Sequence, residues 1–247
     1  MATVRCQSQI FADIQAVIFD KDGTLANAED VLRSLAQRRS RLIDAQIPGV
    51  QDPLLMAFGV SADRLDPAGL MAIGTRLENE IAAAAYVAET GRGWVEALQI
   101  VRSAFTEADR AIASKAQQTP LMTGAVDLIQ RLTQAGVQLA VLSSDSEISV
   151  QEFLATYALQ PYFRVAYGVD AQFSTKTDPH LLNRLLSVLR VEPPQVLIIG
   201  DSQVDVQVAQ TANLAGCIGF TGGWKITPAI PGASALARMF NEIEILP

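Results

Sequence analysis

Sulfur and imidazole are scarce in this chain, which has two cysteines and one histidine in 247 residues. Cys6 and Cys217 are too few for a disulfide framework and lack metal-ligand spacing, so both are read as unpaired thiols of a reducing compartment. Long hydrophobic runs are also missing. The longest, Ile81 to Ala88, is far short of the roughly 20 residues that cross a bilayer. The stretch from Met1 to Ile14 carries Arg5, Gln7, Gln9 and Asp13 and has no apolar core, so no signal peptide is expected. Positive charge is in deficit, with a formal net charge of −7. That balance argues against nucleic acid or an anionic membrane surface as a partner, since both call for a basic face. A small anionic substrate stays open, because a few cations and a metal can invert the field inside one pocket. The expected setting is soluble and cytoplasmic. Oligomeric state has no signature in the sequence.

What is present is an ordinary globular composition, 49% hydrophobic and 18% charged, enough for one large domain or a core with an insert. Three short apolar runs stop abruptly at polar residues: Ala16–Phe19 before Asp20, Leu139–Leu142 before Ser143, and Val196–Ile199 before Gly200 and Asp201. Unbroken apolar runs of this length suit strands buried on both faces. Between them Ala125, Leu128, Ile129 and Leu132 share one helical face that ends at Gly136. Leu181, Leu182, Leu185, Leu186 and Leu189 do the same before Pro193 and Pro194. The fold class is α/β, a Rossmann-like open parallel sheet covered by helices on both faces.

Nearly a hundred residues separate Thr24 from that alternating region, far more than the dozen or so of a crossover. They read as helical. Val31, Leu32, Leu35, Leu42 and Ile43 line one predicted helix over 28–46. Leu77, Ile81, Ala84 and Ala88 line another, and Trp94, Leu98, Val101, Phe105, Ala108 and Ile112 a third. Only Thr90-Gly91-Arg92-Gly93 joins the last two, which predicts an antiparallel hairpin. The expected division is an α/β core of residues 1–25 and 118–247 with an inserted all-helical domain, 26–117.

Open α/β sheets bind ligands at the carboxyl ends of their strands. Here those ends carry Asp20, Asp22, Ser143 and Asp201, with Asp205 a helical turn beyond. Carboxylates gathered at one place repel unless a cation sits among them, and oxygen ligands without histidine or thiolate point to Mg2+ rather than zinc. Asp20 and Asp201 are candidate direct ligands, Asp22 a contributor through its carbonyl, and Asp205 a supporting residue. In an extended backbone Asp20 and Asp22 point the same way, so one carboxylate can attack phosphorus while the other exchanges a proton with the leaving oxygen. Gly23 permits a sharp exit from the strand, and Thr24 suits the start or cap of the next element. By the same alternation Lys21 is expected to point away from both aspartates.

In order, Asp20-Lys21-Asp22-Gly23-Thr24, Ser143, Lys176 in Lys176-Thr177-Asp178-Pro179, and Gly200-Asp201-Ser202-Gln203-Val204-Asp205 resemble the four motifs of the haloacid dehalogenase superfamily. The likeness is to its phosphatases with a helical cap after the first strand, and spans about Ala16 to Phe220. It implies Asp20 as a nucleophile forming an aspartyl-phosphate, Asp22 as general acid and base, and Ser143 and Lys176 as holders of the phosphoryl oxygens. Metal ligation by Asp20, Asp22, Asp201 and Asp205 is implied likewise. Asp22 favours phosphate esters, because dehalogenases of the superfamily lack that second aspartate. Ser144 stands where related phosphatases often have asparagine, and Thr177 replaces a frequent proline.

The function expected is therefore Mg2+-dependent hydrolysis of a small phosphorylated metabolite, phosphoglycolate-like or a sugar phosphate. The alternatives are a phosphomutase, which passes the phosphoryl group back to the substrate, and a non-catalytic binding protein on the same fold. Ser144 and Arg92 join Ser143 and Lys176 as candidate substrate contacts, Arg92 on the condition that its hairpin tip faces the core; a solvated turn is the competing reading. His180 reads as a surface or capping residue, and Phe220-Thr221-Gly222-Gly223-Trp224 as a loop.

Overall fold

The computed structural model describes residues 2–112, 114–169 and 175–246. Strands β1 (Ala2–Cys6), β2 (Gln9–Ile14) and β3 (Ala16–Phe19) come first. The insert comes next, with α1 (Glu29–Asp44), α2 (Gln51–Ala57), β4 (Val60–Ser61), β5 (Arg64–Leu65), α3 (Leu70–Ile73), α4 (Arg76–Glu89) and α5 (Trp94–Arg110). The chain returns through α6 (Lys115–Gln118), α7 (Ala125–Gln134), β6 (Gln138–Ser143), α8 (Glu147–Thr156) and β7 (Phe163–Gly168). It ends with α9 (Pro179–Leu189), β8 (Val196–Gly200), α10 (Gln203–Thr211), β9 (Gly216–Phe220), β10 (Ala235–Ala237) and β11 (Ile243–Leu246).

The three apolar runs are adjacent central strands of a six-stranded sheet, ordered β10-β9-β8-β3-β6-β7, whose pairings are all parallel. All four residues of β3 are buried, and the period of two divides them between the layers. Val17 and Phe19 pack with Leu128, Ile129 and Leu132 of α7 and Val150, Phe153 and Leu154 of α8. Ala16 and Ile18 pack with the leucines of α9 and with Val206, Val208 and Ala209 of α10. Gly136, at φ +73°, lets the chain leave α7 in the left-handed region.

Unforeseen in the sequence is a second, antiparallel sheet, β11-β1-β2, that adds Val4 and Phe11 to the α7–α8 side of the core. Its strands carry polar residues on their outer side and have no long apolar run to announce them.

The insert has its own hydrophobic cluster, from Leu32, Leu35 and Ile43 of α1 through Leu54 and Phe58 to Val101 and Phe105 of α5. It is helical apart from the two-residue antiparallel ladder of β4 with β5. Thr75 and Glu78 form a reciprocal capping box at the start of α4, and Gly91, at φ +93°, turns the chain towards α5. Cys6 and Cys217 are both buried and free. Among the described residues no helix is long and apolar enough to cross a membrane.

Candidate active site

Strand order reverses at β3, since the chain moves to β6 and β7 on one side and then to β8, β9 and β10 on the other. Such a switch point opens a crevice at the carboxyl ends of the two strands that flank it. Asp20 leaves β3 there, its N–H donating to Ile199 O at 2.9 Å, and Asp201 leaves β8 opposite. Asp205 lies in the first turn of α10, where its Oδ2 accepts from Ser202 N at 3.0 Å and Ser202 Oγ at 2.7 Å. It thus closes a capping box, and the same carboxylate still faces the site. One oxygen each from Asp20, Asp201 and Asp205 fall within 4.8 Å of one another.

Lys176 is buried between them, its Nζ 3.0 Å from Asp20 Oδ2 and 2.8 Å from Asp205 Oδ1. Three carboxylates facing one ammonium leave an excess of negative charge among side chains that are nearly buried. Burial first, then the neighbouring Asp20 and Asp205 charges, drive the Asp201 carboxyl well above its ordinary range. Burial likewise pushes Asp20 up to about 6, against the pull of Lys176. An all-oxygen donor set with surplus negative charge fits a hard divalent cation.

Asp201 is held from both sides. Its Oδ1 accepts from Thr24 Oγ1 at 2.9 Å and its Oδ2 from the Trp224 indole Nε1 at 2.7 Å. Thr24 therefore serves the carboxylate rather than the start of a helix. Trp224, read in the sequence as part of a plain loop, also packs into the hydrophobic cluster of the insert. The pair Gly222-Gly223 carried a usable signal, because a Cβ on Gly223 would collide with the carbonyl of Gly23.

Ser143 ends β6, buried, its Oγ accepting from Asp145 N at 3.1 Å. Ser144 sits next to it on the cleft wall. Asp22 stands apart from the acidic trio in a network of its own. Its Oδ1 accepts from Lys21 Nζ at 2.5 Å and its Oδ2 from Lys115 Nζ at 2.9 Å. Both ammoniums also reach Asp145 Oδ2. Burial would raise the Asp22 carboxyl, but Lys115 and Lys21 outweigh it and hold the group below the usual range. The expectation for Lys21 is thus corrected. The chain has left the extended strand after Phe19, alternation no longer applies, and Lys21 is buried with its ammonium on Asp22. Lys115 and Asp145 were missed, and no local pattern marks either.

These groups floor a cleft of about 960 Å³ whose opposite wall comes from the insert, including Arg39, Met71, Arg76 and Leu77. Arg92 is not brought to it. Its guanidinium donates to Thr90 Oγ1 at 2.9 Å and pairs with Glu96 at 3.7 Å, within the hairpin turn. His180 is exposed in the first turn of α9, its N–H capped by Asp178.

Residues 14–213 match the family model of haloacid dehalogenase-like hydrolases. The chain belongs to that family. Within it the chain is similar to phosphatases, enzymes that cleave phosphoric monoesters. It is 33% identical over 129 residues to a phosphoglycolate phosphatase of Rhodobacter capsulatus, a match covering 51% of this chain and 56% of that protein. It is 28% identical over 237 residues to phosphoglycolate phosphatase 1 of Pseudomonas aeruginosa, covering 94% of this chain and 78% of the other. A crystal structure of a predicted phosphoglycolate phosphatase from Haemophilus somnus superposes with a TM-score of 0.67 at 20% identity, over 93% of this chain and 96% of that one.

Proposed function

We propose that the chain is a Mg2+-dependent phosphatase that hydrolyses a small phosphate monoester through an aspartyl-phosphate on Asp20. The observation that carries this reading is the place of Asp20: at the switch point, bonded to a buried lysine and within reach of two further carboxylates. In this reading residues 1–25 and 118–247 form the catalytic core, and 26–117 form a cap over its cleft.

An Asp20 oxygen attacks phosphorus as the bond to the leaving oxygen breaks, and Asp22, which has to enter this step in its protonated form, gives that oxygen a proton. Asp22 then takes a proton from the water that displaces Asp20, releasing inorganic phosphate and restoring both carboxyl groups. Lys176 and Ser143 hold the phosphoryl oxygens through both steps, with Ser144 beside them. Asp20 and Asp201 would hold Mg2+ directly, with the Asp22 carbonyl and, indirectly, Asp205, whose oxygens are already engaged by Ser202 and Lys176. When bound, the ion supplies positive charge that offsets the charge growing on the phosphoryl oxygens.

The similarity to phosphoglycolate phosphatases favours a short anionic leaving group. On the insert side Arg39 and Arg76 line the cleft where Arg92 does not, Arg39 paired with Asp109 and Arg76 with both Asp109 and Glu80. Asp20→Asn is expected to lower Mg2+-dependent phosphate release from an aryl phosphate by about 1000-fold or more, with the circular dichroism spectrum unchanged. Chelation silences the wild type in the same assay. Activity within a few-fold of wild type in Asp20→Asn would refute the covalent route.

A further inference from the structure

We propose that Lys115 is a positioning residue for Asp22, fixing its carboxylate from the connection by which the insert returns to the sheet. The inference rests on the reading of Asp22 as the proton carrier.

Asp22 is gripped at both oxygens by different ammoniums. Lys21 Nζ takes Oδ1 at 2.5 Å and Lys115 Nζ takes Oδ2 at 2.9 Å. The two grips differ in kind. Lys21 is sealed in the core, 1% exposed, with its ammonium 5.7 Å from the ring centroid of Phe153. Lys115 reaches in from the cleft wall, its side chain 19% exposed, and opens α6. Asp145 completes the square. Its Oδ2 receives Lys115 at 2.5 Å, Lys21 at 3.1 Å and Ser149 Oγ at 2.6 Å, while its Oδ1 receives Ser146 N at 2.9 Å. Two cations and two anions balance, and every acidic oxygen in the square has a donor.

The backbone around Lys115 is as fixed as its head group. Tyr157, just past α8, donates its hydroxyl to Ala116 O at 3.1 Å. The two connections of the insert are zipped together beside Asp22. Asn27 N donates to Pro120 O at 2.8 Å, Met122 N donates to Leu25 O at 2.8 Å, and Asp22 itself bridges to Ala26. The distance from Lys115 to Asp22 is therefore set by both roots of the insert at once.

A carboxyl group that must give a proton to one particular oxygen, and as carboxylate later take one from water, loses efficiency if it rotates, because proton transfer demands heavy-atom contact at hydrogen-bond range. Two opposed ammoniums remove that rotation and still leave each oxygen a free lone pair. Lys21 alone would hold one oxygen and let the other swing. An ion square that only tied α6 to α8 would have no need to include Asp22.

Leaving groups separate a positioning role from a structural one. A nitrophenolate departs with little help from an acid, whereas an alkoxide needs its proton. Lys115→Met in the full chain with Mg2+ is expected to lower kcat about 100-fold on an alkyl ester such as glycerol phosphate, and less than about 5-fold on 4-nitrophenyl phosphate. Lys115→Arg, which can still reach Asp22, restores most of the loss. If the methionine variant does not fold, Lys115→Gln, a donor without charge, carries the same comparison. Equal losses on the two esters, or none on either, would overturn the inference. Asp22→Asn serves as the reference. If it too lowers both esters alike, the proton-carrier reading falls and takes Lys115 with it. If Asp22→Asn discriminates and the Lys115 variants do not, only the role of Lys115 is lost.

Discussion

Gly23 occupies a point where backbone, acid and indole converge. Its φ of +82° lies in the left-handed region, and a Cβ there would fall 2.5 Å from both Asp201 Oδ2 and Trp224 Nε1. Gly23→Ala must therefore strain the turn and part the bond that holds Asp201. We expect a loss of about 1–3 kcal/mol in urea unfolding and at least about a tenfold loss of phosphate release. Unfolding within about 0.5 kcal/mol of wild type together with full activity would mean that the loop yields freely. How legible each residue was depends on how it is placed. Asp20, Ser143 and Asp201 end or come just after apolar runs, so a strand reading puts them on one edge of the sheet without knowledge of contacts. Lys115 reaches Asp22 across 93 positions of sequence, and such a contact exists only once the insert has folded. Lys21 was misplaced because the period of two was extended past Phe19, where the strand ends.

The hairpin of α4 and α5 appears where the sequence predicts it, and Ala84, Val101, Phe105 and Ala108 of the expected stripes are buried, but the large residues that open each stripe are not. Leu77 and Ile81 are 47% and 46% exposed, whereas Ala83, Ala84 and Val87 are fully buried. On α5 the buried set is Ala97, Val101, Ala104, Phe105 and Ala108, with Trp94 left 47% exposed. Small residues on both helices let the axes approach closely, and the side of a helix that carries most alanine goes inward. Leucine at 77 is thereby free to line the cleft. The α4 stripe is turned towards Ala83 and Val87, whereas the α5 stripe holds from Val101 to Ala108. Two substitutions separate the faces. Ala84→Leu should cost about 1–3 kcal/mol through overpacking, while Leu77→Ala should stay within about 0.5 kcal/mol of wild type. Denaturant midpoints at equal m-value decide it. A larger loss for Leu77→Ala than for Ala84→Leu would restore the leucine stripe as the packed face.

Across the whole molecule, the parallel sheet was readable because its central strands are buried on both faces and so unbroken in sequence. The antiparallel sheet of β1, β2 and β11 was not, because its polar outer positions interrupt every run and its partners lie at opposite ends of the chain. The two bodies meet at more than the pair of Lys115 and Asp22. Trp224 comes from the sheet domain, packs in the cluster of the insert and bonds Asp201, so the acidic site is braced by packing on both sides of the cleft. That site works against the fold when no cation offsets it. Asp20 and Asp201 titrate above their ordinary range because their charged forms are disfavoured in the folded chain. The sign is fixed by this direction: a raised folded pKa costs stability as pH climbs above the unfolded value near 4. A cation bound only by the folded chain should return stability at neutral pH, by about 2.7 kcal/mol at a hundredfold excess over its dissociation constant. Mg2+ is therefore expected to raise Tm at pH 7 in the wild type. Asp201→Asn should lose that shift and melt higher than wild type in chelator, since its amide can accept from Trp224 and donate to Thr24 while removing one of the crowded charges. Calorimetry of both proteins with Mg2+ and with chelator makes the comparison. A lower Tm for Asp201→Asn in chelator would show that the carboxylate stabilises the fold through its bonds to Thr24 and Trp224 more than it destabilises it through repulsion.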